Sequence, residues 1–142
     1  MLACLPVCAA ERIVTHRVEG GDFRSVREAV VEVIEAEGMV VGQVLPFGSM
    51  LERTGQGQAS PYVAAEIIQF CSAALARRMV LEDPGQMTLC PLAIALYVSV
   101  DEPDVVVLAY RMTGGDSPAR VQADQLLARL VARAARLGKL RW

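Results

Sequence analysis

A single histidine, a single lysine and an aromatic content of 5% leave this 142-residue chain poorly equipped for several common kinds of site. One histidine excludes a histidine metal cluster. His16 stands inside an alternating segment with no motif to place a partner beside it, so a structural or edge-exposed role is expected over catalysis. The lone lysine, Lys139, follows none of the glycine clusters (Gly55 and Gly57, or Gly114-Gly115), which excludes a P-loop, and no dinucleotide fingerprint is present. Scarce aromatics and a sequence pI near 5.4 argue against a nucleic-acid module. No apolar run reaches the roughly 18 residues needed to cross a bilayer, and no internal repeat recurs at any period. What is abundant is apolar: 54% hydrophobic residues against 21% charged, a balance that excludes disorder and fits one compact domain.

Four cysteines, Cys4, Cys8, Cys71 and Cys90, are too few and too dispersed for the disulfide framework of a small secreted scaffold. The first two lie in MLACLPVCAA, Met1 to Ala10, which is either an apolar N-terminal arm or the remnant of a signal peptide with its cleavage point after Ala10. Export to the periplasm or beyond follows if translation starts upstream; otherwise the expected compartment is the cytoplasm. Residues 11–142 form the single folded domain. Two thiols do not supply the four ligands of a structural metal site, so no metal and no cofactor are expected.

The net charge of −2 conceals a polarised chain. Residues 1–110 carry 7 basic and 14 acidic side chains, whereas residues 111–142 carry 7 and 2.

Alternation predicts a first strand over Glu11–Glu19, with Ile13, Thr15 and Arg17 on one face and Val14, His16 and Val18 on the other. Asp22 caps a helix whose apolar positions are Phe23, Val26, Val30, Val33 and Ile34, and Gly38 stops it. Val40–Leu45 is a second strand. Ser49–Arg53 forms one helical turn, and Thr54–Pro61 a loop within the domain. A third strand spans Ala64–Phe70, with Glu66 on its outward face. Ser72 caps a short helix to about Leu81, and Asp83-Pro84-Gly85 turns the chain. Leu92–Val100 and Val105–Tyr110 read as a hairpin of well-buried strands. From Ser117, with Pro118 in the first turn, a long helix reaches about Leu137. This order is most economically an α+β fold, an antiparallel sheet with helices packed on one face.

The segment from Glu66 to Arg111 resembles the signature half of the domain of unknown function 302 family. The resemblance rests on Phe70-Cys71-Ser72 at a strand end, a short helix from Ala73 to Leu81, Asp83-Pro84, the hairpin entry Leu89-Cys90-Pro91 and the closing Tyr110-Arg111. Phe23, Val26, Val30 and Gly38, with Met50 to Gly55, extend it more weakly over residues 12–140. It implies a fold like that of the TATA-binding protein, strand-helix-four strands-helix, here with a short extra helix after the third strand, and often a homodimer. It implies no reaction. Ser72-Ala73 stands where the family commonly has asparagine-proline, so no role of that asparagine transfers.

Three functional readings follow. The first is a non-enzymatic homodimeric module that binds a small ligand or partner through the sheet and the Thr54–Pro61 loop, with Phe70, Ser72, Tyr110 and Arg111 as candidate ligand-binding residues. An apolar surplus larger than one small core absorbs supports the dimer. The second uses Cys71 and Cys90 as a redox or metal-linked thiol pair: Cys71 precedes a helix N-terminus, and the intervening helix can return the chain so that the thiols meet. Against it stands the ordinary fate of a free cysteine, a small buried apolar residue. The third is binding of an anionic surface, such as a membrane surface, by Arg129, Arg133 and Arg136 on the last helix.

Overall fold

The computed structural model describes residues 12–140. Five strands, β1 (Ile13–Glu19), β2 (Val40–Leu45), β3 (Tyr62–Cys71), β4 (Leu92–Ser99) and β5 (Val105–Arg111), form one sheet in the order β1-β5-β4-β3-β2 with every pairing antiparallel. Helices α1 (Phe23–Ala36), α2 (Phe47–Thr54), α3 (Ala73–Glu82) and α4 (Pro118–Lys139) and a 3-10 segment, Pro84–Leu89, fill the connections. The segment Met1 to Ala10, with Cys4 and Cys8, lies outside the described residues.

Each helix begins where a side chain can accept from an otherwise unpaired backbone N–H, or where proline needs none. Asp22 accepts from the Ser25 amide at 2.9 Å at the start of α1, and Ser72 and Ser117 do the same for α3 and α4. The bond lowers the Asp22 carboxyl from its usual range. Gly38, at φ +80°, carries the chain out of α1 in a conformation that side chains with a Cβ rarely adopt.

The pleat sorts the sheet into two faces. Val18, Ile68, Phe70, Ile94, Leu96, Val106 and Leu108 point toward α1 and α4, where they meet Val26, Val30, Ile34, Leu127, Leu130 and Ala134 in the main core. Burying each large side chain there contributes on the order of 1.5–3 kcal/mol. The other face is partly open, and α2 lies on it over β3. Phe47 meets Tyr62 edge-on at a centroid distance of 6.2 Å, and Tyr62 leans on Tyr97 at 5.4 Å. Gly48 permits this approach: a Cβ there would stand 3.1 Å from the Ala65 backbone nitrogen.

Several expectations are refined. The helical turn at Ser49–Arg53 is a complete helix on the face opposite α1 and α4. The third strand extends to Tyr62 and Cys71, because β4 is long enough to pair with nearly all of it. The turn at Asp83-Pro84-Gly85 continues as the 3-10 segment, with the Asp83 carboxylate accepting from the Gly85 amide at 2.8 Å. One reading is corrected: Glu66 faces the helices, opposite Leu96, and its carboxylate meets the Arg27 guanidinium of α1 at 2.6 Å. Pairing satisfies the charge that a polar residue brings to that face.

Candidate functional site

Pairing along the central seam is short. β4 and β5 are matched only from Ala95–Ala109 to Tyr97–Val107, whereas β1–β5 and β3–β4 are matched along most of their length. Where the β4–β5 ladder stops, a cavity of about 350 Å³ opens. Its open-face lining is small or aliphatic: Ala93, Ala95 and Ala109 form a hollow between the larger Ile13 and Ile67. Leu127 of α4 also lines it, so the cavity reaches between the strands toward the helix layer. Alternation along β4 makes the hollow, since Leu92, Ile94 and Leu96 turn to the core while the alanines turn the other way.

Polar contacts behind the cavity hold its walls. Leu89 and Pro91 form one side, and the 3-10 segment that ends at Leu89 is anchored by Gln86, whose amide donates to the Met79 carbonyl at 2.7 Å while its oxygen accepts from Arg120. Met112 and Thr113 form another side. The Thr113 amide and hydroxyl both donate to Asp124 of α4, at 2.7 and 3.2 Å. Glu82 receives the Ala119 amide at 3.1 Å and fixes the start of α4 against the end of α3. Burial first, and the neighbouring Asp124 second, push the Tyr110 phenol up, so it stays protonated at neutral pH.

Cys71 and Cys90 come together beside this cavity. Phe70–Leu92 is the last matched pair of β3 and β4, so Cys71 leaves one strand where Cys90 approaches the other. Both thiols are free, Cys71 exposed and Cys90 half-buried at the edge of the core. Burial raises the Cys90 thiol above the usual cysteine range, and the neighbouring Cys71 side chain raises it further. Among the described residues, no group of three or more histidine, cysteine, aspartate or glutamate side chains is placed to hold a metal ion, and no helix is long and apolar enough to cross a membrane.

The other residues singled out by sequence are dispersed. Tyr110 and Arg111 line the cavity. Phe70 is wholly buried in the core, and Ser72 is occupied in capping α3. The Thr54–Pro61 loop lies at the opposite end of the sheet, where the Pro61 carbonyl accepts from the Val100 amide, and it lines no part of this cavity. Arg129 and Arg133 both hold Glu37, at 2.9 and 3.3 Å, which neutralises part of the basic stripe; Arg136 is exposed. The Arg129 hydrogen bond, opposed in part by burial, lowers the Glu37 carboxyl. His16 is exposed on the edge strand β1. Sequence reasoning missed the alanine hollow, although its signal was present: LAIAL, Leu92 to Leu96, alternates large and small side chains.

Among curated proteins, none matches this chain. Among solved structures, the chain is similar to an uncharacterized conserved protein DUF302 from Bacillus stearothermophilus, with a TM-score of 0.71 at 15% identity, over 86% of this chain and 97% of that one. That likeness establishes the shared fold. The family model described as domain of unknown function DUF302 matches residues 14–137, and with that extent of match the chain belongs to this family.

Proposed function

We propose that the protein is a non-enzymatic binding module that takes a compact, mainly apolar small molecule into the hollow between β4 and β5. The observation that carries this reading is the concave floor of Ala93, Ala95 and Ala109 at the point where the two central strands cease to pair. Its volume of about 350 Å³ lies at the lower end of the range for small-molecule pockets, roughly 300–1,000 Å³. The apolar lining favours the body of such a ligand, and Arg111 adds a cationic side chain to that lining. Nothing in the arrangement requires bond-making chemistry for the module to work.

Homodimerisation belongs to this reading. Among the described residues, α2 covers the open face over β3, and at the β1 edge of the same sheet the exposed Ile13 is the apolar group offered to a second copy, Val105 and Val107 of β5 being already buried within the chain.

The pocket is tested by titrating the isotope-labelled protein with indole and with hexanoate, following backbone amide shifts. Shifts should concentrate at residues 91–95 and 109–113. Ala95→Leu fills the hollow and should weaken binding of either probe by at least about tenfold. Shifts scattered over the surface, or equal binding by the filled variant, would remove the pocket from consideration.

A further inference from the structure

The thiol pair is a second constellation, independent of whether the pocket holds a ligand. Three observations bear on it. The β3–β4 register ends at Phe70–Leu92, which fixes both chain segments at the sheet end where the cysteines stand. The excursion through α3 and the 3-10 segment is anchored at several points, by Gln86 on the Met79 carbonyl, Arg120 on Gln86, and Glu82 on the start of α4, so the return of the chain to Cys90 is held by structure on both sides. At that sheet end the two side chains are close enough to interact, one exposed and one half-buried. An accessible thiol beside a sheltered one is the arrangement in which a small reagent meets the first and the second completes the reaction.

We propose that Cys71 and Cys90 are a dithiol–disulfide couple that exchanges two electrons with low-molecular-weight disulfides and thiols. In the oxidising direction, the Cys71 thiolate attacks one sulfur of the small disulfide. That S–S bond breaks, one small thiolate leaves, and a mixed disulfide forms on Cys71. Cys90 then gives its proton to water and attacks the Cys71 sulfur. The Cys71–Cys90 bond forms as the mixed disulfide breaks, and a second small thiolate is released. The protein dithiol has lost two electrons, the small disulfide has gained them, and the two protons end on the released thiols. Reduction runs the same steps backward. The exposed Cys71 is the entry point, because a half-buried Cys90 is shielded from the reagent and held protonated.

The experiment uses the full chain carrying Cys4→Ser and Cys8→Ser, equilibrated in reduced and oxidised glutathione over a wide range of ratios, quenched with acid, alkylated and weighed by intact mass spectrometry. The expected result is a single two-electron transition between a doubly alkylated form and an unalkylated form lighter than the dithiol by two hydrogen atoms, without an accumulating glutathione adduct. Adding Cys90→Ser should arrest the protein as the Cys71 adduct. Adding Cys71→Ser should slow the first reaction by at least about tenfold. Peptide mapping of the oxidised wild-type chain gives a second measurement that does not depend on the variants' folding, and it should recover residues 71 and 90 in one cross-linked fragment. Stable adducts on both cysteines without loss of hydrogen, two thiols that stay unmodified across the range, or a map lacking the cross-link would overturn the proposal.

Discussion

At the scale of single residues, ion pairing shapes this molecule through groups distant in sequence. Glu37 follows α1 by one residue, yet it answers Arg129 and Arg133 on α4. Its carboxyl is lowered in the folded chain, so it binds a proton less readily there than when unfolded. The stability it contributes is therefore present above the ordinary carboxylate range and is lost as pH falls through its depressed folded value. Both arginines are substantially exposed, which limits the contribution to about 1 kcal/mol. Glu37→Gln should lower the unfolding free energy by that amount at pH 7, with the difference from wild type shrinking toward zero between about pH 5 and pH 2 in urea titrations. A difference that stayed constant with pH would mean that the charge is not what matters. The basic half of this clasp was legible in the sequence, because Arg129 and Arg133 are four apart and share a helix face. The acidic half was not, since nothing local marks Glu37 as their partner.

At the scale of elements, close approach decides where helices sit. α1 and α4 pack side by side on the sheet, and Gly138 allows the end of α4 to meet the start of α1. A Cβ at Gly138 would stand 2.9 Å from the Val26 Cα, and a backbone atom cannot yield cheaply. Gly138→Ala should therefore destabilise the fold by about 1–3 kcal/mol despite alanine's better helix propensity, measured as a lower denaturation midpoint at unchanged slope. Stabilisation instead would show that the helices separate freely. Strand and helix positions were largely readable: hydrophobic period, the caps at Asp22, Ser72 and Ser117, and Gly38 each report local physics. The side of the sheet taken by α2 was not, because Phe47 and Gly48 make sense only beside Tyr62 and Ala65. Glu66 was misassigned for a related reason. A charged residue in a strand reads as outward until a partner such as Arg27 appears on the inner side.

At the scale of the whole molecule, an acidic body carries a more basic C-terminal helix, and part of that asymmetry is consumed internally where α4 meets Glu37. The partly open sheet face bears on assembly. If a second copy covers it, sedimentation equilibrium should give a mass of twice 15.3 kDa. A monomeric mass at about 100 μM would exclude a dimer of useful affinity, since apolar interfaces of standard size bind far more tightly than that.

The sequence by itself determined the α+β class, the order of elements and most of the core, because periodicity, capping and turn chemistry act over a few residues. Only the tertiary structure decided that β4 and β5 part after three matched pairs, that three alanines meet there as a hollow, that Cys71 and Cys90 share one end of the sheet, and that two arginines of the last helix are engaged by Glu37. Each of these depends on strand register or helix packing between residues far apart in the chain, and register is a property of the assembled sheet rather than of any one strand.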